Sequence, residues 1–250
     1  MCTSEPSLKK TKNNYNLDIQ KLPGISTGIK ESCIWNDLKS FNVTENIACD
    51  IMHDIYEGIC RYESGSILNY LINKKLFSLQ FLNERIKFFN FGLYERNRVP
   101  LIKAEHTSIK KCHIIMSAAE MACLVRYLGF IIGDKIPENN PAWEIFLLLK
   151  QIVSIVTSRT IQESTPKLLK SLIEGHHSFY LEIFTNQTLK PKHHIITHYP
   201  EIMTRVGLLI NISSIRFEAK HRSFKKNANV VHSRVNITLT LAKKKPVTVM

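Results

Sequence analysis

Glycine and proline are scarce, nine of each in 250 residues, too few for a chain built from many short strands and tight turns. Acids are scarce as well: 21 Asp and Glu stand against 34 Lys and Arg, for a net charge of +13. No apolar run approaches the ~20 residues that cross a bilayer. The longest, Ile145–Val156, is interrupted by Lys150, Gln151 and Ser154. The opening residues Met1–Pro6 hold no apolar signal core. The cysteines (Cys2, Cys33, Cys49, Cys60, Cys112, Cys123) never fall in a C-x-x-C spacing. A Gly-rich phosphate loop, a G-x-S-x-G elbow, an HExxH pair and zinc-finger spacing are all missing. These absences predict a reduced, intracellular chain with no membrane partner. The sequons at Asn42, Asn186, Asn211 and Asn236 then carry no glycan.

What is present is enough for a core. Hydrophobic residues make up 44% and charged residues 22%, as in ordinary globular proteins. Residues 1–30 are polar and rich in Lys and Asn, and read as an extended or disordered tail. Beyond Thr44 or Asn46, either of which can cap, Ile51, Met52, Ile55, Ile59 and Tyr62 fall on one helical face, and Gly65 reads as a break. Further helices are expected through Ile67–Ile72, through Leu79–Phe89 and over Ile114–Ile132, where Gly133 stops the pattern. Phe91–Lys111 reads as a loop. Asn140-Pro141 opens an apolar helix and Thr165-Pro166 another. A helix from Pro191 is expected to end at Pro200 or Gly207, Leu208–Ile215 is β-permissive, and Arg216–Asn229 is an amphipathic helix. The whole is mainly α with few strands: a polar tail over 1–30, a helical domain over 31–242 and a basic tail over 243–250.

The positive charge is concentrated near the C-terminus. Residues 190–250 hold twelve basic residues and two acids, Glu201 and Glu218. Lys190, Lys192, Arg216, Lys220, Arg222, Lys225 and Lys226 are the candidate phosphate contacts, since helical basic residues suit a nucleic-acid backbone. The same residues also fit a merely solvated basic face. Three constellations could carry chemistry. Asp50, His53, Asp54 and Glu57 share one face of a regular helix, as a metal site or a histidine-tuning cluster would, or as a plain polar face. In Lys192-His193-His194-Ile-Ile-Thr-His198, the pairs His194/His198 and His193/His198 have spacings that can chelate zinc; ordinary surface or core histidines have them too. Glu218 is the one acid among five basic residues of its helix, and is either an i, i+4 partner of Arg222 or a metal-binding carboxylate beside a phosphate surface.

Taken as a set these segments are recognisable. Cys49-Asp50-Ile-Met-His53-Asp54-Ile-Tyr-Glu57-Gly58-Ile-Cys60 resembles the D-x-M-H block of CACTA (EnSpm-like) DDE transposases, closest to the transposon-derived copies in animal genomes. Four more segments are similar to the same family and stand in its order: Thr27-Gly28-Ile-Lys-Glu31 with Cys33-Ile-Trp35-Asn36; Leu189 through Pro200; Arg216-Phe217-Glu218-Ala219-Lys220-His221; and Phe224-Lys225-Lys226. The match covers roughly residues 25–240. The resemblance implies an RNase H-like core whose last catalytic acid sits on a helix after a large helical insertion. This chain would supply the insertion and that last helix. By resemblance Glu218 corresponds to the final catalytic carboxylate, and Asp50 and His53 to a motif of structural or metal-supporting role. His193 and His198 correspond to the downstream half of a structural zinc site.

The family's first two acids and its C-x-x-C lie upstream of the Thr-Gly-Ile-Lys-Glu segment, and this chain does not contain them. The expectation is therefore a transposable-element-derived protein without catalysis that retains nonspecific DNA binding, in the nucleus. Its zinc site would be incomplete and Glu218 vestigial. One alternative is a nuclease or strand-transferase subunit using Mg²⁺ or Mn²⁺ at Glu218. Another is a helical interaction module that self-associates.

Overall fold

Local capping decides where most of the helices begin. In this computed structural model, which describes residues 11–21, 29–46, 48–108, 111–230 and 235–244, the protein is mainly helical. The described segments fall into two units, Met1–Cys49 with Asn139–Leu209 and Asp50–Glu138 with Ile210–Met250. The sequence pattern alone reads as one helical domain over 31–242. Among the described residues no helix is long and apolar enough to cross a membrane.

The first unit contains α1 (Lys12–Gln20), α5 (Pro141–Val156), α6 (Thr165–Ile183), α7 (Pro191–Ile196) and α8 (Tyr199–Val206). Asn140 caps α5 by accepting the Trp143 N–H at 3.1 Å, with Pro141 in the first turn. Such a cap stabilises a helix by about 1 kcal/mol. The apolar sides of α5 and α6 pack together, burying Ile145, Phe146, Leu149 and Ile152 from one helix and Leu169 and Ile173 from the other. Helix α1 corrects the expectation of an extended tail: its Tyr15 is buried, and the hydroxyl accepts the Cys33 N–H at 2.8 Å. Pro200 lies in the first turn of α8 and starts that helix instead of ending the one before. Gly207, at φ +76°, supplies the stop.

The second unit is built on a π-helical segment, Ile51–Ile59, that runs without interruption into α2 (Cys60–Asn73). The helix begins at Asp50, not at Thr44 or Asn46, because Asp50 accepts the Met52 N–H at 3.2 Å. Gly65 does not break it. The glycine lies inside α2 against the backbone of Cys112 and His113, which leaves no room for a Cβ. Helices α3 (Leu79–Phe88) and α4 (Ala118–Ile132) complete the core, with Leu82, Ile86, Leu124 and Leu128 fully or almost fully buried. Ser117 and Glu120 form a reciprocal cap on α4. The only strands among the described residues are β1 (Thr107–Ser108) and β2 (Lys111–Cys112), an antiparallel pair with Thr107 opposite Cys112. The β-permissive stretch after Leu208 is instead a 3₁₀ turn, Leu209–Ile212. Beyond it come α9 (Ile215–Val230) and α10 (Ile237–Lys244). Lys243 and Lys244 thus close a helix, and residues 245–250 of the expected basic tail lie outside the described residues.

Candidate functional site

The start of the π-helical segment and the start of α9 meet at one carboxylate. Asp50 Oδ1 accepts the Met52 N–H at 3.2 Å and the Ser214 N–H at 2.9 Å. Its Oδ2 accepts the Ser214 hydroxyl at 2.6 Å and faces the His53 Nδ1–H. Ser214 precedes α9 and caps it in turn, since its carbonyl accepts the Glu218 N–H at 3.0 Å. Asp50 therefore fixes the entry of α9, and one turn further along Glu218 Oε1 comes to 3.5 Å from His53 Nε2. The imidazole stands between two carboxylates, Asp50 on Nδ1 and Glu218 on Nε2.

The electrostatics follow from that placement. Burial pushes the Asp50 carboxyl up, but the Ser214 hydroxyl and N–H, His53 and the Met52 N–H together outweigh it and hold the group at about 2. The hydrogen bond to Asp50 raises the His53 pKa; burial opposes the rise, and the charges of Asp50, Glu57 and Glu218 add to it. These neighbours favour the charged imidazolium more than water does. The arrangement is not a nucleophilic triad, because the Ser214 hydroxyl gives its proton to Asp50 and not to the far nitrogen of His53. It does hold His53 Nε2 and Glu218 Oε1 side by side, with Asp50 on the other ring nitrogen, as an outer carboxylate orients a metal-binding histidine.

The four residues expected on one helical face separate. Asp50 is the cap. Asp54 is buried, its Oδ2 accepting the Asp50 N–H at 3.0 Å. Glu57 pairs with Arg61 at 3.4 Å. Of the four, His53 reaches Glu218 and Asp50 reaches Ser214, just before α9. The regular-helix pattern fails here because the segment is wound with a wider turn, closed by the Cys60 N–H on the Ile55 carbonyl.

In the first unit His193 is fully buried. Its Nδ1 accepts the Lys190 N–H at 3.0 Å, and its carbonyl accepts His177 Nε2 at 2.9 Å. His176 Nδ1 lies 3.2 Å from His177 Nδ1, so the pair His176-His177 belongs to a buried polar network. His198 meets His194, Nε2 to Nε2, at 3.3 Å. Among the described residues no group of three or more His, Cys, Asp or Glu side chains is arranged to hold a metal ion. Of the candidate phosphate contacts, Arg216, Lys225 and Lys226 are exposed on α9, and Lys190 and Lys192 are half-buried in the first unit. The side chains of Lys220 and Arg222 lie outside the described set, as does the Thr27-Gly28 step of the first motif.

No protein-family model, curated protein or solved structure matches this chain. The site therefore rests on its own geometry. Ser214 is the participant that pattern reading missed; its signal was a hydroxyl directly before a helix with an acid four residues on.

Proposed function

We propose that the chain derives from a CACTA-type DDE transposase and binds DNA through the phosphate backbone. In this reading the helices over 31–242 correspond to the helical insertion, and α9 to the last helix, of an RNase H-like core. The observation that carries it is the engagement of Glu218 by His53. It joins two segments that resemble separate motifs of that family, and it sets the single acid of α9 against a histidine whose pKa is raised. What α9 then presents is positive: Arg216, Lys225 and Lys226, all exposed. Phosphate contacts of this kind position a protein on DNA without reading its sequence.

Fluorescence anisotropy with a short duplex across a salt series tests this. The logarithm of the binding constant should fall linearly with the logarithm of salt concentration, with a slope of about −0.9 for each phosphate neutralised. Replacing Lys225 and Lys226 by alanine should make the slope shallower by about two and weaken binding to all duplexes alike. An absence of binding at low salt, or binding that salt does not weaken, rejects the proposal.

A second reading is favoured by the approach of His53 Nε2 to Glu218 Oε1 at 3.5 Å. In it the pair holds Mg²⁺ or Mn²⁺ for strand cleavage. Two-metal phosphoryl transfer needs more carboxylates than this pair supplies, which is why binding is preferred. If the wild type nicks supercoiled plasmid in Mn²⁺ and Glu218→Gln does not, cleavage replaces binding as the function.

A further inference from the structure

Away from that site, the second unit carries a loop whose sides are pinned and whose tip is bare. It leaves α3 at Phe88 and returns toward α4 through Val99. Phe91 is buried and meets Phe89 edge-on at 4.9 Å and Tyr127 at 5.4 Å. Glu95 is held by Arg126 at 2.7 Å, and the Asn97 carbonyl accepts the Cys123 thiol at 3.4 Å. Beyond the loop, Asn83 makes two hydrogen bonds to the Ile102 backbone, at 2.8 and 2.9 Å. Between these anchors Gly92 turns the chain at φ +82°, a conformation that favours glycine. The turn projects Leu93 and Tyr94, which are 97% and 98% exposed, and Phe88 at the end of α3 is 78% exposed. Folding alone gives no reason for three large apolar side chains to stand in water on a pinned loop and the helix end before it.

The surroundings indicate the occupant. Lys87, Arg96 and Arg98 flank the tip in sequence and are exposed, with the Lys87 ammonium over the Phe88 ring at 5.4 Å and the Arg98 guanidinium over Phe91 at 5.2 Å. The single acid between Lys87 and Lys103 is Glu95, whose carboxylate is taken up by Arg126 and the Asn97 N–H. A flat ring and an aliphatic wedge flanked in the chain by cations suit a partner that offers π-faces and negative charge together, which unpaired bases on a phosphate backbone do. Aromatic and aliphatic side chains inserted between bases act the same way in kinked duplexes. Membrane surfaces share the charge, but interfacial binding usually draws on a long amphipathic helix, not on three side chains of a loop. We infer that the Phe88–Arg98 loop is a wedge that stacks on unpaired bases, with Tyr94 and Leu93 as the inserted residues. This rests on the DNA-binding reading above and adds to it a preference for opened or single-stranded DNA.

The test compares the full chain with a Leu93→Ala/Tyr94→Ala variant and with Tyr94→Phe. Both positions are bare, so the core is untouched. Anisotropy is measured with an oligothymidylate and with a blunt duplex, and 2-aminopurine emission is followed in a mismatched duplex. The double variant should bind the oligothymidylate about tenfold more weakly, keep its duplex affinity, and lose the rise in 2-aminopurine emission that the wild type produces. Tyr94→Phe should behave as wild type. Equal single-strand affinity of wild type and double variant overturns the wedge while leaving duplex binding by α9 standing. A variant that loses binding to phosphatidylserine vesicles with its DNA affinity intact overturns it in favour of a membrane. A wild type that binds no DNA at all overturns the α9 reading together with it.

Discussion

Replacing Gly65 by valine should lower the unfolding free energy by about 3 kcal/mol, the upper end of the usual cost of overpacking. A Cβ at this position would stand 2.7 Å from the Cys112 carbonyl carbon, 2.8 Å from the His113 nitrogen and 2.9 Å from the Cys112 oxygen. All three are backbone atoms, and that backbone is held. The Ile114 N–H donates to the Arg61 carbonyl at 3.0 Å, and the Arg61 guanidinium donates to the Met116 carbonyl at 2.8 Å. Cys112 is also paired with Thr107 in the hairpin. In an open helix the change to alanine would stabilise by about 1 kcal/mol; here even Gly65→Ala should destabilise. Urea denaturation of the two variants measures the effect. A stabilised Gly65→Ala protein would show that the hairpin does not lie against α2.

Asp50→Ala should cost about 2 kcal/mol. It removes a helix cap and leaves the Ser214 N–H, the Ser214 hydroxyl and His53 without their common acceptor. The same carboxylate makes stability depend on pH. Its folded pKa is about 2 against an ordinary 3.8. Its contribution is therefore fully present above the ordinary value and is lost as pH falls through the folded one, a window from roughly pH 4 to 2. Solvent screening at this partly exposed carboxylate limits the term to about 1 kcal/mol. His53 has the opposite sign. Its pKa is raised above 6.5, so its contribution is complete below that value and declines as pH rises through the higher folded one. Denaturation midpoints across pH should therefore be flatter for Asp50→Ala than for wild type in the acid window. The His53 ring signal in an NMR titration should move back toward 6.5 in the variant. A His53 titration curve identical in the two proteins would show that Asp50 does not tune the imidazole.

Features stabilised by neighbours in sequence were readable in advance. Asn140-Pro141 announced α5 because its hydrogen bond closes within three residues, and the stop at Gly133 was equally local. Gly65 was misread because its reason lies in the backbone of Cys112, far along the chain. Tyr15 gave no hint of a helix because its hydroxyl partner is the backbone of Cys33. The site divides in the same way. Asp50, His53 and Glu218 each stood out by residue type and spacing. Their convergence did not, since it depends on Ser214 joining two segments more than 160 residues apart. The sharing of one face among Asp50, His53, Asp54 and Glu57 assumed ordinary helical winding, and the winding is not ordinary.

That winding has a geometric consequence. An α-helix turns about 100° per residue, and a π-helix, bonded one residue further along, turns less. Over Ile51–Ile59 the angular shortfall accumulates before α2 resumes the usual pitch. The segment thus acts as a vernier between two fixed marks, Gly65 seated on the Cys112 backbone and His53 aligned with Glu218. Deleting one residue between them would let the helix run at constant pitch and keep the marks nearly in phase, since one α-helical residue turns about as far as the accumulated shortfall, whereas rewinding the segment as α-helix with no deletion would throw them out of phase by about a quarter-turn. With Gly65 seated, the imidazole would then sweep past the carboxylate it now meets.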